Sequence, residues 1–482
     1  MSKQPNQTAA DQPVCPLAKK CGGCQLQNLS YAEQLHFKQA KAIRLLGRFC
    51  HVEEILGMAH PYHYRNKVQA AFGRSQQGQI ISGVYQSASH RIVPVSDCMI
   101  EDETADRIIV TIRGLLRSFK IQPYDEDTGR GTLRHVLVKR GFRSGQVMVV
   151  LVTGRSMFPG KRNFVKALLE RHPEITTIVH NVNGGQTSLV LGAHSEVLYG
   201  PGHIEEQLGE FTFRISPRAF YQINPVQTEV LYSKALEFAG LTGTETVIDA
   251  YCGTGTIGIF ASRSAKEVIG VESNRDAVRD AIQNAKRNAA DNVRFYTADA
   301  GEFLQGMAQS GARADVVILD PPRAGSDKRF LSSLCRLAPE RVVYVSCNPE
   351  TLARDLDDLT AHGYRVTKIQ PVDMFPHTEH IETVCLLSKL KSTQHIEVEL
   401  DMDELDLTDA EKKATYQEIK NYVLEHCGLK VSNLYIAQVK QKCGIIEREN
   451  YNKPKSEDAR QPQCPPEKEK AIKEALKHFG MI

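Results

Sequence analysis

No stretch of about 18 consecutive apolar residues occurs in this sequence, which excludes a membrane-spanning helix of the usual kind. The opening residues, MSKQPNQTAADQPV, have no apolar core of the signal-peptide type, so a cytoplasmic protein is expected. Disulfides are rare in that compartment. Net charge is also scarce: at +3 for 482 residues, charge alone announces no polyanionic partner. Internal repeats are absent. With 41% hydrophobic and 24% charged residues, the chain reads as globular, with length for two to four domains.

What is present in quantity is cysteine. Twelve thiols in a reducing compartment are core fillers, metal ligands or catalytic groups. Charge is unevenly spread. Residues 1–100 carry 11 basic against 5 acidic side chains, and residues 391–482 carry 15 against 17. The basic front is a weak hint of a polyanion, with "YRNK" at Tyr64–Lys67 as its candidate grip.

The periodicity predicts five regions. Residues 1–14 are polar and expected to be disordered. Residues 15–60 hold a cysteine cluster and a helix with apolar spacing at Leu35, Ala42, Leu45 and Phe49. Residues 61–210 are β-rich, interrupted by one helix around KRNFVKALLERH. Residues 211–390 alternate helix and strand, the pattern of an open, largely parallel α/β sheet. Residues 391–482 form a helical appendix. There an acidic stretch, EVELDMDELDLTDAE, precedes a helix-turn-helix pattern joined at Gly428 and capped at Ser432. A polar loop, NYNKPKSEDARQPQCPP, and a last helix follow.

Ligands of such sheets bind beyond the carboxyl ends of the strands. Four polar side chains fall there: Asp249, Glu272, Asp320 and Cys347. The turn DAYCGTGTIG holds Gly253, Gly255 and Gly258, and Glu272 ends the next strand, 19 residues after Gly253. Glycines let a ligand approach the backbone, and the carboxylate suits ribose hydroxyls. Asp249, ahead of the glycines, suits a cationic ligand better than a pyrophosphate. The pattern resembles motif I of class I S-adenosylmethionine (SAM) methyltransferases. Asp320-Pro321-Pro322-Arg323 ends the fourth strand of the α/β region. An arginine after the prolines, where amino-group methyltransferases carry an aromatic, speaks against amino-group chemistry.

Cys347, in RVVYVSCNPE, lies 27 residues beyond Asp320. Cysteine packs well in cores, yet this one ends a strand beside an Asn348-Pro349 turn, and Glu382 opens the last strand. Thiolate, carboxylate and methyl donor at one rim suit methylation of uracil C5. Thiolate addition at C6 makes C5 a carbanion that attacks the methyl group, and a base then removes the C5 proton. Cys347 fits the nucleophile and Glu382 the base. Cys50, Cys252, Cys335, Cys385, Cys427, Cys443 and Cys464 read as structural.

Cys15, Cys21 and Cys24, the last two flanking Gly-Gly, form a metal-site signal, with Cys98 the candidate fourth ligand. Four thiolates suit zinc or an iron–sulfur cluster, and spacing does not choose. A radical-SAM site needs three residues in the first gap, whereas this gap has five.

Taken together, CPLAKKCGGCQ, LRHVLVKR, FRISPRAFYQINPVQTEVLY, DAYCGTGTIG, DPPRAG, VYVSCNP and HTEHIETV resemble the RNA uracil-5-methyltransferase family over about residues 15–390. The resemblance implies a Rossmann-like class I catalytic domain. It implies a 4Fe-4S cluster on Cys15, Cys21, Cys24 and Cys98, and SAM contacts at Gln222, Tyr251, Glu272 and Asp320. It assigns nucleophile and base to Cys347 and Glu382, as the chemistry does. Within the family, cluster-bearing members resemble the 23S rRNA enzymes, so 23S rRNA is the expected substrate and tRNA the alternative. The β-rich region is expected to bind RNA. A monomer without membrane attachment is expected. With 14 residues before Cys15, the small RNA-binding β-barrel of many members is expected to be absent.

Overall fold

The computed structural model describes residues 15–86, 89–187, 189–390, 416–443, 464–479 and 481. The N-terminal tail expected to be disordered, the acidic stretch and all but the end of the polar loop lie outside the described residues. The chain divides into two compact units, Met1–Lys391 and Ser392–Ile482.

The first unit begins with a single turn, α1 (Ala18–Cys21), and a long helix, α2 (Tyr31–Leu46). A capping box starts α2: Glu33 N donates to Ser30 Oγ, and Ser30 N donates to Glu33 Oε2 at 2.7 Å. Of the four apolar positions expected on its inner face, only Ala42 is fully buried. The buried line is Gln34, Lys38, Ala42 and Leu46, one residue per turn. Two polar residues occupy it because each finds a partner. Lys38 Nζ pairs with Asp373 Oδ1 at 2.5 Å, with both side chains wholly buried.

Seven strands form the next sheet: β1 (Lys67–Arg74), β2 (Ile80–Tyr85), β3 (Ile92–Pro94), β4 (Leu133–Arg140), β5 (Val147–Thr153), β6 (Ile175–Val182) and β7 (His194–Tyr199). Their order is β3-β2-β1-β4-β5-β6-β7. Only β5 and β6 pair in parallel, across the crossover helix α4 (Lys161–Arg171). A second helix, α3 (Glu103–Ser118), corrects the one-helix expectation. Its run RIIVTI has strand-like β-branched composition. The apolar residues nevertheless recur at helical spacing, and Ile108, Ile109, Ile112, Leu115 and Leu116 are buried together, while Asp102 caps the start by accepting from Ala105 N. Tertiary burial overrides the local preference.

Every residue of β5 is buried. Val147, Val149 and Leu151 pack in the core formed with α3 and α4, whereas Met148, Val150 and Val152 enter a core shared with the next sheet. The expected boundary at 210/211 falls in the turn of a hairpin, β8 (Ile204–Leu208) and β9 (Phe211–Ile215), whose residues join that shared core.

The second sheet comprises β10 (Thr246–Ala250), β11 (Glu267–Glu272), β12 (Val293–Thr297), β13 (Val316–Leu319), β14 (Arg341–Ser346), β15 (Tyr364–Val372) and β16 (Glu382–Lys389), in the order β12-β11-β10-β13-β14-β16-β15. The first five strands are parallel and β16 runs antiparallel between β14 and β15. Helices α5 (Pro225–Ala239), α6 (Thr256–Ala261), α7 (Arg275–Arg287), α8 (Ala300–Ser310), α9 (Lys328–Leu337) and α10 (Pro349–Ala361) accompany it. Two cores, one per face, enclose the strands. This is a Rossmann-like open α/β sheet, and chain order reverses beside β10, where such sheets bind ligands.

In the "YRNK" segment Tyr64 and Asn66 serve as a joint, while Arg65 and Lys67 are partly exposed. Tyr64 is wholly buried with its hydroxyl donating to Pro376 O at 2.9 Å, and Asn66 Nδ2 donates to Gln222 O at 3.0 Å. Burial lowers the Lys67 ammonium pKa, with Arg65 adding to the effect.

In the second unit, α11 (Tyr416–Cys427), α12 (Asn433–Lys442) and α13 (Pro466–His478) surround a small core that includes Ile419, Ile436, Cys464 and Ile472. Gly428 takes a left-handed φ of 67° and Ser432 caps α12 by accepting from Tyr435 N. Cys427 and Cys443 pack against the same core.

Candidate active site

Strand β10 delivers the chain into the turn 251–255. Tyr251 and Gly255 have φ of 62° and 80°. A Cβ on Gly255 would lie 2.6 Å from the Phe295 ring, so only glycine fits between turn and sheet. Asp249 uses one carboxylate oxygen in the fold, and its Oδ1 has no hydrogen-bond partner. It is buried, and its Oδ2 accepts from Gly258 N at 2.8 Å, tying the strand to the start of α6. Burial, reinforced by Asp320 and Glu272, pushes its carboxyl up to about 8.

Glu272 does face the turn. Its Oε2 accepts from Gly253 N at 3.2 Å and its Oε1 from Asn274 N at 2.7 Å. The carboxylate is thereby oriented at the carboxyl end of β11. Tyr251 lies 5.1 Å from the Phe330 ring, and burial pushes its phenol up to about 12. Gln222 is buried in the segment that enters α5, fixed through the Asn66 contact to its carbonyl.

Asp320 follows β13 directly, and burial raises its carboxyl to about 7. The next strand in sequence and the neighbour of β13 in the sheet, β14, ends at Ser346. That residue pairs with Thr383 of β16, so the next step along each strand brings Cys347 and Glu382 to the same edge. Glu382 is buried, its Oε2 has no hydrogen-bond partner, and burial followed by Asp320 holds its carboxyl well above the usual range. Asn348 caps α10 by accepting from Glu350 N at 3.1 Å, and its Nδ2 donates to Arg323 O at 3.3 Å. The turn after Cys347 is thus bound to the Asp-Pro-Pro-Arg loop. Beside the thiol lies a cavity of about 180 Å³, lined among others by Lys41, Arg323, Asn348, Glu379 and His380.

Burial, with Glu382 and Asp320 repelling a thiolate, pushes the Cys347 thiol up to about 11, and Arg323 opposes them. At pH 7 only about one part in 10⁴ is then ionised in the free protein. Alkylation of Cys347 by iodoacetamide, followed by peptide mass spectrometry, is therefore expected to be slow at pH 7 and to rise about tenfold per pH unit toward 11. A plateau reached near pH 7 would contradict this environment. The buried carboxyls Asp249, Asp320 and Glu382 all act on the Tyr232 hydroxyl, which places them around one region. Such a group disfavours further negative charge and stabilises a cation brought among them.

The cysteine segment forms a separate cluster. Cys24 and Cys98 pack against the same small apolar group, Met58, Tyr64 and Ile100. Burial raises the Cys24 thiol to about 11, and Cys21 and Cys15 both act electrostatically on it. Among the described residues no three His, Cys, Asp or Glu side chains converge as a single metal ion requires. Ligands of a multi-iron cluster each bind a different iron, and a looser set of four thiols is compatible with that chemistry.

Lys38, Asp373, Gln34 and His377 were not singled out in the sequence, although they join the cysteine segment to the loop before Glu382. The available signal was two long polar residues, four apart, on the line that the helix buries. Lys41, lining the Cys347 cavity, carried no signal, and His380, also lining it, was marked only as part of the HTEHIETV motif.

A protein family described as tRNA (Uracil-5-)-methyltransferase matches residues 202–390. An uncharacterized RNA methyltransferase of Clostridium tetani is 46% identical over 381 residues, covering 78% of this chain and 83% of that protein. One from Halalkalibacterium halodurans is 46% identical over 378 residues, 77% of this chain and 82% of that protein. Among solved structures, the Pyrococcus abyssi tRNA (uracil-54, C5)-methyltransferase in complex with S-adenosyl-L-homocysteine is 30% identical with a TM-score of 0.63, covering 77% of this chain and 86% of that one.

Proposed function

We propose, from the premise that this chain belongs to the RNA uracil-5-methyltransferase family and takes its methyl group from SAM, that it makes 5-methyluridine in 23S rRNA. The observation that carries the reaction is the register of β14 and β16, which sets Cys347 and Glu382 at one sheet edge beside Asp320. The preference for 23S rRNA rests on the four-cysteine set, and the Pyrococcus abyssi enzyme's tRNA substrate favours tRNA as the second reading.

Gln222, Tyr251, Glu272 and Asp320 are assigned to SAM, with Glu272 oriented by Gly253 N. The Cys347 thiolate adds to uracil C6, and the electron pair moves to C5 and the C4 carbonyl. C5 then displaces the methyl group from sulfur, releasing S-adenosylhomocysteine. Glu382 takes the C5 proton and the C6–S bond breaks, restoring the double bond and the thiolate. A carboxyl whose pKa is raised by burial is a stronger base once ionised, and a sulfonium beside the acidic group favours that ionised form. The β1–β7 sheet region is assigned to RNA contact, and the protein to the cytoplasm.

Cys15, Cys21, Cys24 and Cys98 are assigned to a 4Fe-4S cluster. When bound it supplies a cross-link between the N-terminal segment and the turn before α3. Purified protein is expected to be brown, with broad absorbance near ~400 nm and iron and sulfide in equal amounts. Colourless protein with stoichiometric zinc overturns the cluster.

The test of function is methyl transfer from labelled SAM to unmodified 23S rRNA and unmodified tRNA in parallel, with the product nucleoside identified. Label in 23S rRNA as 5-methyluridine is expected. Label in tRNA alone moves the partner and keeps the chemistry, whereas no label in either refutes the reading.

A further inference from the structure

Glu382 is placed by its backbone. Its Oε2 has no hydrogen-bond partner, and its main chain pairs with Val372 across the β15–β16 hairpin. Residues 373–381 form the loop of that hairpin, and its anchors come from the far end of the sequence. Asp373 receives Lys38 Nζ at 2.5 Å and the Tyr31 hydroxyl at 2.9 Å. Lys38 Nζ also donates to Phe375 O at 3.0 Å. His377 N donates to Gln34 Oε1 at 2.8 Å, and His377 O accepts from Leu26 N, two residues after Cys24. His377 has a φ of 68°, a left-handed conformation that a side chain other than glycine keeps only when its surroundings impose it. A buried ion pair is a poor source of stability compared with apolar packing of the same volume, but it fixes a geometry.

We propose that Lys38 and Gln34 on α2 are positioning residues for Glu382, holding the hairpin loop so that the carboxylate meets the C5 proton of the covalent intermediate. The proposal rests on Glu382 being the base. Its main consequence falls on one step. Loosening the loop slows proton removal and elimination, and because Glu379 and His380 of the same loop line the cavity beside Cys347 it also weakens the seating of the uracil, while SAM binding draws on other elements.

Lys38→Met alone leaves Asp373 buried without its partner and destabilises the fold, so the tested variants are Gln34→Leu and the double variant Lys38→Met/Asp373→Asn, which leaves no unpaired charge. Each is purified as full-length protein and compared with Glu382→Gln for SAM affinity, for KM and kcat with RNA, and for covalent protein–RNA adduct on denaturing gels. The expected result is unchanged SAM affinity, a KM for RNA raised by no more than a few-fold, kcat lower by about 10- to 100-fold, and accumulation of adduct as in Glu382→Gln. If Glu382→Gln accumulates adduct and the α2 variants do not, the positioning role fails and the base stands. If Glu382→Gln itself transfers methyl without adduct, the base assignment fails and the positioning role with it.

Discussion

Replacing Cys347 with alanine is expected to stop methyl transfer, with turnover lower by at least about 10⁴-fold and SAM affinity unchanged. The size follows from the substrate. Uracil C5 is a weak nucleophile, and the other groups brought to this edge, Asp320 and Glu382, are carboxyls whose hard oxygens do not replace a thiolate at C6. The unchanged affinity follows from the fold. Glu272 is fixed by Gly253 N and Asn274 N, and Tyr251 packs on Phe330, all away from β14. Cys347 is half-buried beside an open cavity, so loss of its sulfur disturbs little packing. Serine at this position is expected to be as inactive as alanine, because its hydroxyl is far harder to ionise than a thiol. Labelled methyl transfer and equilibrium SAM binding on the same preparations check both halves. Turnover retained in either variant removes Cys347 from the reaction.

The residues of this edge were legible in the sequence for a physical reason. In a parallel sheet each strand carries its carboxyl end to the same rim, so a short apolar run followed by Asp320 or Cys347 already says where the side chain lies. Asp249 has one oxygen engaged by the fold and one without a partner. It sits on β10 one residue before the end, and the alternation of the strand turns it inward, to Gly258 N. Burial of polar groups was the least legible feature. Lys38 and Asp373 are 335 positions apart, and either alone reads as a surface charge. Within Tyr64–Lys67 the uncharged Tyr64 and Asn66 turn inward to Pro376 O and Gln222 O, which composition does not show, while Arg65 and Lys67 stay partly exposed. Helix α3 was hidden by composition, its Ile and Val residues suiting a strand as well as the buried side of a helix.

Glu382→Gln is expected to divide the reaction at its last step. Glutamine has nearly the shape of a protonated glutamate, and burial already keeps the carboxyl above its usual range, so the β14–β16 edge survives the change. What disappears is the capacity to accept the C5 proton. Thiolate addition and methyl transfer proceed once, and the C6–S bond then has no route to break. The variant should therefore transfer about one methyl group per protein, migrate on denaturing gels as a protein–RNA adduct, and lose about 10²- to 10⁴-fold in steady-state turnover. A second readout is independent of RNA. Glu382 is the largest charged contributor opposing ionisation of Cys347, after burial itself. Removing its charge lowers the thiol pKa, and alkylation of Cys347 in the free variant should reach its plateau at a lower pH than in the unmodified protein. The two results separate causes. A shifted alkylation profile without adduct leaves Glu382 next to the thiol and assigns the proton to another acceptor. Adduct without a shifted profile keeps Glu382 as the base and leaves burial and Asp320 as the reason that the thiol stays protonated before RNA arrives.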